Sequence, residues 1–345
     1  MRHTSLLVLA ATLLLAACND PSADETSSTD PSGSESSTSS ESTETEGTET
    51  STTGEPEPSG ALVLDEILDI NAVVATKGMD VDDAGRVYLW NYNQDQLEVY
   101  ADGTLSVLAD MGLVSGSGTD LSVSAAGEVV VSKGGSSTGE TLMKWSAMGE
   151  PLWGAMGLNF PDALLLGLDH AQVGGEEFLF VADGREAGGR VHRLSPADGS
   201  VVETLELGLV PLDVAVDPVG ALYVLDAPVS NPAFTGDPVE LVKYDAGGSL
   251  VAGPVVLKDA LYLTRASDGV VYVSSTDFDL PTRRILAYDS ELEALAETAL
   301  PAEYEGFVGG ITSTGSGDAL RVYITAQGGV GSDPICDVLV YRPEL

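Results

Sequence analysis

Apolar and β-branched residues gather in short runs along most of the chain, and turn-forming residues separate these runs at regular intervals. Residues 78–103 (GMDVDDAGRVYLWNYNQDQLEVYADG) show the unit most clearly. Met79-Asp80-Val81 is a first run, Asp82-Asp83-Ala84-Gly85 a turn, and residues 86–92 a second run. Residues 97–100 form a third run with alternating apolar and polar positions, Asp102-Gly103 is a hairpin signal, and 105–108 supplies a fourth run. Four such runs joined by Asp-Gly and Ala-Gly turns predict one antiparallel sheet rather than a βαβ unit.

The unit recurs. Gly78-Met79-Asp80 is followed by Gly118-Thr119-Asp120, Gly167-Leu168-Asp169 and Pro211-Leu212-Asp213, then by the degraded openings Ala260-Leu261-Tyr262 and Gly309-Gly310-Ile311. Third positions of these openings lie 40 to 49 residues apart, and four strand signals per period of that length mark a β-propeller. Second runs are expected at 87–91, 129–132, 178–182, 222–225, 270–274 and 320–325, and third runs at 96–100, 141–145, 190–194, 240–244, 284–288 and 336–341. After Tyr341 only Arg-Pro-Glu-Leu remains, too short for a strand, so residues 61–70 (ALVLDEILDI) are expected to supply the outer strand of the last sheet. Pairing the two termini removes the open edge of a linear array. The expected fold is therefore all-β: a six-bladed β-propeller of four-stranded antiparallel blades, spanning 61–345 and closed by strand 61–70. Five or seven blades follow instead if the long connection 158–168 is miscounted.

The first 60 residues follow a different pattern. Met1-Arg2-His3 precedes an apolar run at 6–15, too short to span a bilayer and suited to a signal peptide. The run ends in Leu15-Ala16-Ala17-Cys18, which resembles the lipobox of bacterial lipoproteins. That resemblance implies removal of 1–17, lipidation of Cys18, and a place on the extracytoplasmic side of the bacterial envelope, with inner membrane, outer membrane and cell surface left open. Residues 19–60 contain no Leu, Ile, Val, Phe, Tyr or Trp and are rich in Ser, Thr and Glu. Such a segment has no apolar surface to bury, so 18–60 is expected to act as a disordered tether.

Charge narrows the partners. The chain carries 54 acidic against 15 basic residues, a net charge of −39. A surface this negative repels phosphate backbones, which argues against nucleic acid, and favours cationic ligands or divalent metals. The two cysteines, Cys18 and Cys336, allow no disulfide framework in the mature domain. Alternation over 335–341 places Cys336 on one face with Val338 and Val340, as a small buried apolar residue.

The blade unit also resembles NHL-type repeats. Gly78-Met79-Asp80-Val81-Asp82, Gly85-Arg86-Val87-Tyr88, Leu97 and Val99-Tyr100 match that pattern in order, as do parts of 178–191 and 271–285. The resemblance implies the propeller fold and leaves function open, because binding modules, lyases and lactonases share it.

Candidate chemistry is sparse. Asp80, Asp120, Asp169 and Asp213 open four blades and would approach one mouth of the central channel. Converging carboxylates there would suit Ca²⁺; the alternative is that each caps a turn or accepts backbone N–H groups as part of the repeat. His170, beside Asp169, is the one candidate general base near the channel, while His192 is expected to face outwards from its strand. No nucleophile elbow, zinc-helix motif, phosphate loop or EF-hand spacing occurs. The ligand set of gluconolactonase-like propellers cannot be placed on this sequence, and a lyase of the streptogramin type would depend on His170. Long insertions between second and third strands, 226–239, 276–283 and 326–335, share one face and carry the loop aromatics Phe234 and Phe278. These features predict a membrane-anchored module that binds a protein, peptide or glycan through Phe234 and Phe278, with no required cofactor. The competing expectation is a Ca²⁺-dependent hydrolase or a lyase at the channel.

Overall fold

A computed structural model describes residues 59–70, 76–91, 94–110, 117–136, 139–154, 157–161, 163–184, 188–208, 210–227, 238–277, 280, 283–328 and 335–344. Their strands form six four-stranded antiparallel sheets arranged as the blades of a propeller. The inner strands, in blade order, are Thr76–Val81, Ser117–Val123, Leu165–Val173, Val210–Val216, Ala260–Arg265 and Val308–Thr314. Each stands at one edge of its sheet and lines the channel. The second strands, such as Val87–Asn91 and Leu222–Ala227, are buried along almost their whole length, as expected for the middle of a stacked blade.

The ring closes as the repeat count requires. Leu62–Leu68 pairs antiparallel with Ile335–Pro343, bringing Leu62 opposite Pro343 and Leu68 opposite Val338. That strand completes the sixth blade. The 158–168 connection holds the short strand Leu158–Phe160, the outer strand of blade 2, and so hides no further blade. Among the described residues the only helical element is the turn Gly317–Ala319, and no helix is long and apolar enough to cross a membrane.

The core is divided among six hydrophobic clusters, one at each seam between neighbouring blades. Blades 5 and 6, for example, meet through Tyr272, Ile285, Ile311, Val322 and Ile324. Cys336 is buried in the seam between blades 6 and 1 with Val338 and Val340. Turns between strands repeat one device. The Asp82 carboxylate accepts from the N–H groups of Ala84 and Arg86, and Asp217 accepts from Val219 and Ala221 in the same way. Gly85 and Gly220 complete these turns at positive φ, where a side chain would be strained.

His192 departs from expectation. It is buried, with Nδ1 2.9 Å from Thr204 Oγ1 and Nε2 3.4 Å from Asp183, so it joins strands within blade 3 and does not face outwards. Alternation assigned it to the polar face of its strand, but in a propeller both faces of a blade are covered by neighbours.

Candidate functional site: a plugged channel and its polar mouth

An inner strand pairs on one side only, so the N–H groups it turns towards the channel find no partner in their own sheet. Buried N–H groups left without an acceptor cost free energy. The opening aspartates supply those acceptors, each reaching to the next blade. Asp80 accepts from Val123 N–H at 2.7 Å, Asp120 from Leu168 N–H at 2.8 Å, Asp169 from Val216 N–H at 2.8 Å and Asp213 from Leu263 N–H at 2.7 Å. Asp80 and Asp213 also accept from the N–H of the following residue. Thr312 donates to Asp80 at 2.6 Å, which joins blade 6 to blade 1.

The four carboxylates stand in two tiers. Asp80 pairs with Tyr88 one step before the turn-side end of its strand pair, and Thr264 and Thr312 hold the matching positions in blades 5 and 6. Asp120 and Asp213 sit two residues further in, matching Tyr262. The signal for this offset is present in the chain: the turn glycine with positive φ follows Asp80 and Asp169 by five residues (Gly85, Gly174) and Asp120 and Asp213 by seven (Gly127, Gly220). Glycine matters in the inner tier. A Cβ on Gly167 would stand 2.2 Å from the Asp213 carboxylate and 2.5 Å from its Cα, so blades 3 and 4 meet only because that side chain is missing.

Burial dominates the electrostatics. It raises the pKa of all four aspartates, and hydrogen bonds from the backbone offset it only in part. Asp120 and Asp213 are raised well above the usual carboxylate range, with repulsion between the acids adding to burial. Tyr262, facing them, is raised well above the usual phenol range by burial and by those two acids. The space left among these side chains is about 40 Å³, room for a few water molecules at most. At this level the described side chains fill most of the channel.

Asp169 is pushed up to about 7, chiefly by burial. A group whose folded pKa exceeds its unfolded value stabilises the fold at low pH and loses that contribution as pH rises. Wild-type protein is therefore expected to lose stability relative to Asp169→Asn between about pH 4 and pH 7, with a constant difference above that. Urea unfolding of both proteins across this range measures it, and parallel curves would refute the assignment.

Above the plug a second cavity of about 320 Å³ opens at the end of the ring where first and second strands turn. Its walls include Asp83, Ser124, Asp169, His170, Gln172, Thr264, Arg265 and Thr314. His170 donates its backbone N–H to Ser122 Oγ at 2.9 Å and sets Nδ1 3.2 Å from the same oxygen. Its Nε2 is buried without a partner, and burial lowers its pKa to about 3, so the ring is neutral at physiological pH. Arg265 stands at the position that Val81, Val123 and Val216 fill in other blades. Sequence reasoning passed over it, although a charged residue in a valine position was the available signal.

The structure thus brings Asp80, Asp120, Asp169, Asp213 and His170 to the channel and its mouth. Among the described residues no group of three or more His, Cys, Asp or Glu side chains is arranged to hold a metal ion. Phe234, Phe278 and Cys18 lie outside the described residues.

No protein-family model and no curated protein sequence matches the chain. Solved structures do share its fold. The PQQ-bound aldose sugar dehydrogenase of Streptomyces coelicolor aligns over 83% of this chain and 100% of its own, with a TM-score of 0.60 and 14% identity. A gluconolactonase from Xanthomonas campestris aligns over 79% and 88% (TM-score 0.53, 17% identity). Regucalcin, a calcium-binding protein from Agrobacterium tumefaciens, aligns over 81% and 95% (TM-score 0.50, 14% identity). At these identities the likeness concerns architecture: this chain is a divergent six-bladed β-propeller whose structural neighbours include enzymes and a calcium-binding protein.

Proposed function

We propose that the protein is an envelope-tethered binding propeller that takes a polar ligand, free or as part of a peptide or glycan, into the mouth above the plugged channel. The observation that carries this reading is the division of polar groups. The four aspartates are committed to backbone N–H groups, whereas His170 Nε2 and Arg265 Nε in the wider mouth have no hydrogen-bond partner among the described residues. A wide polar mouth over a largely filled channel suits a binding pocket with convergent polar groups.

The test is calorimetric titration of the full chain with monosaccharides, amino acids and dipeptides, repeated on Ala125→Trp. Ala125 is exposed and lines the mouth, so tryptophan there fills the cavity without touching the blade seams. Binding to wild type that disappears in Ala125→Trp is expected; binding that survives the substitution would move the site elsewhere.

Tethering rests on Leu15-Ala16-Ala17-Cys18 and the acidic segment behind it. Acyl chains on Cys18 would hold the protein at the membrane, since each buried methylene contributes about 0.8 kcal/mol. Cys18→Ser is expected to move the protein from the membrane fraction to the soluble fraction and to abolish palmitate labelling. Unchanged fractionation would count against the anchor.

One observation favours a second reading. Asp169 lies in the mouth with a pKa near 7, suited to general acid–base catalysis, as in a lactonase or lyase. Asp169→Asn would then abolish turnover of a bound ligand while leaving its affinity largely intact.

A further inference from the structure

In the mouth tier, three seams have a side chain that accepts from the next blade's N–H, two are joined through hydroxyls, and one has no polar side chain at the matching position. Asp80 caps the Val123 N–H, Ser122 caps His170, and Asp169 caps Val216. Across the seam between blades 5 and 6, the Thr264 and Ser313 hydroxyls meet at 3.3 Å, and Thr312 returns to Asp80. Between blades 4 and 5 the matching residue is Ala215, which has no acceptor to offer the Arg265 N–H.

The side chain at this gap is itself uncommitted. Every other described arginine makes an ion pair or donates to backbone carbonyls. Arg265 does neither among the described residues; its Nε is buried without a hydrogen bond, as are those of Arg190, Arg193 and Arg284, but these three have an acidic partner and Arg265 has none in ion-pair contact. Its charge is felt by the Asp169 carboxylate across the mouth, but no described acid meets it in an ion pair, so in a chain with 54 acidic and 15 basic residues its guanidinium is left in the cavity wall with hydrogen-bonding capacity for a ligand.

The geometry points to a ligand carboxylate seated at the blade 4–blade 5 seam, taking the place that an aspartate side chain holds at other seams and accepting from the Arg265 guanidinium and N–H. The planar fork of a guanidinium matches a carboxylate in two parallel bonds. Asp80, Asp83 and Asp169 also line the mouth and disfavour any anion, a phosphate dianion more strongly than a singly charged carboxylate. His170 Nε2 is a further hydrogen-bonding position for the polar body of the ligand. This inference rests on the mouth being the binding site, and its test separates the two claims.

The full chain is titrated with acetate, D-glucuronate, D-glucose and inorganic phosphate, in wild type, Ala215→Asp, Arg265→Gln and Ala125→Trp, with folding checked by thermal melts. The expected result is D-glucuronate binding that exceeds D-glucose and phosphate and falls at least tenfold in Arg265→Gln. Ala215→Asp is expected to abolish carboxylate binding while keeping or raising the melting temperature, because the new side chain closes the gap from within. Carboxylate affinity unchanged in Ala215→Asp or in Arg265→Gln overturns the inference, as does wild type that binds neither carboxylate. If D-glucose binds wild type but not Ala125→Trp in that last case, the mouth reading stands and only the carboxylate is wrong. If glucuronate binding survives Ala125→Trp, the mouth reading fails as well.

Discussion

A chain that begins at residue 71 is expected not to fold cooperatively, whereas one that begins at residue 59 is expected to unfold as the full chain does. The difference is a single strand. Leu62–Leu68 pairs along the edge of Ile335–Pro343, buries Leu62 in the seam between blades 5 and 6, and carries Asp65, which pairs with Arg321 and Arg342. Without it, blade 6 exposes a row of unpaired N–H and C=O groups on an apolar strand, an edge prone to pair with other chains. Burying a leucine side chain contributes roughly 1.5–3 kcal/mol, and the lost ladder bonds add to that. The sum approaches the whole stability of an ordinary domain, about 5–15 kcal/mol. Urea unfolding followed by tryptophan fluorescence checks it. A sigmoidal transition for the chain starting at 71, with the full-chain midpoint, would show that closure is dispensable.

Asp213→Ala carries the next largest expected effect. Its carboxylate accepts from Val214 N–H at 2.9 Å and Leu263 N–H at 2.7 Å, both buried, and no other acceptor is recorded at these positions. Leaving each group unsatisfied costs about 1–3 kcal/mol. Water entering the small cavity beside Asp213, and relief of its repulsion with the neighbouring acids, bring the expected loss to the lower half of that range. A total of roughly 2–4 kcal/mol corresponds to a fall of about 3–7 °C in melting temperature for a domain of this size. Asp213→Asn keeps one acceptor and is expected to lie between, while Asp83→Ala, an exposed mouth residue, is expected to leave stability unchanged. A melting temperature for Asp213→Ala equal to that of Asp83→Ala would mean that the staples do not hold the blades.

The fold was largely legible in the chain because propellers write their period in turns. Asp-x-x-Gly and Ser-x-x-Gly turns such as 82–85 and 124–127 mark the junction of first and second strands, and the short tail after Tyr341 requires an outer strand from the N-terminal side. The site was legible in part. The four aspartates do reach the channel, but the likeness of Gly78-Met79-Asp80 to Gly118-Thr119-Asp120 conceals a two-residue offset in register. Matching local triplets compares neighbours along the strand; counting to the turn glycine compares positions in the blade, and only the second predicts which tier a carboxylate enters. His192 was misplaced for a related reason, since period-two alternation assumes one solvated face and a blade has none. Arg265 could not be valued from sequence, because its significance lies in what the fold leaves beside it: no ion pair among the described residues, and no side-chain acceptor at Ala215 on the adjoining blade.

The central claim is that the opening aspartates serve the blades and leave ligand binding to the mouth. A calorimetric titration of Ca²⁺ into wild type and Asp169→Ala tests it most directly. Carboxylates already accepting backbone N–H groups, and raised in pKa by burial, should give no tight stoichiometric uptake, and the two proteins should return the same weak heats. Tight one-to-one Ca²⁺ binding to wild type that vanishes in Asp169→Ala would contradict the account and make the channel the functional centre.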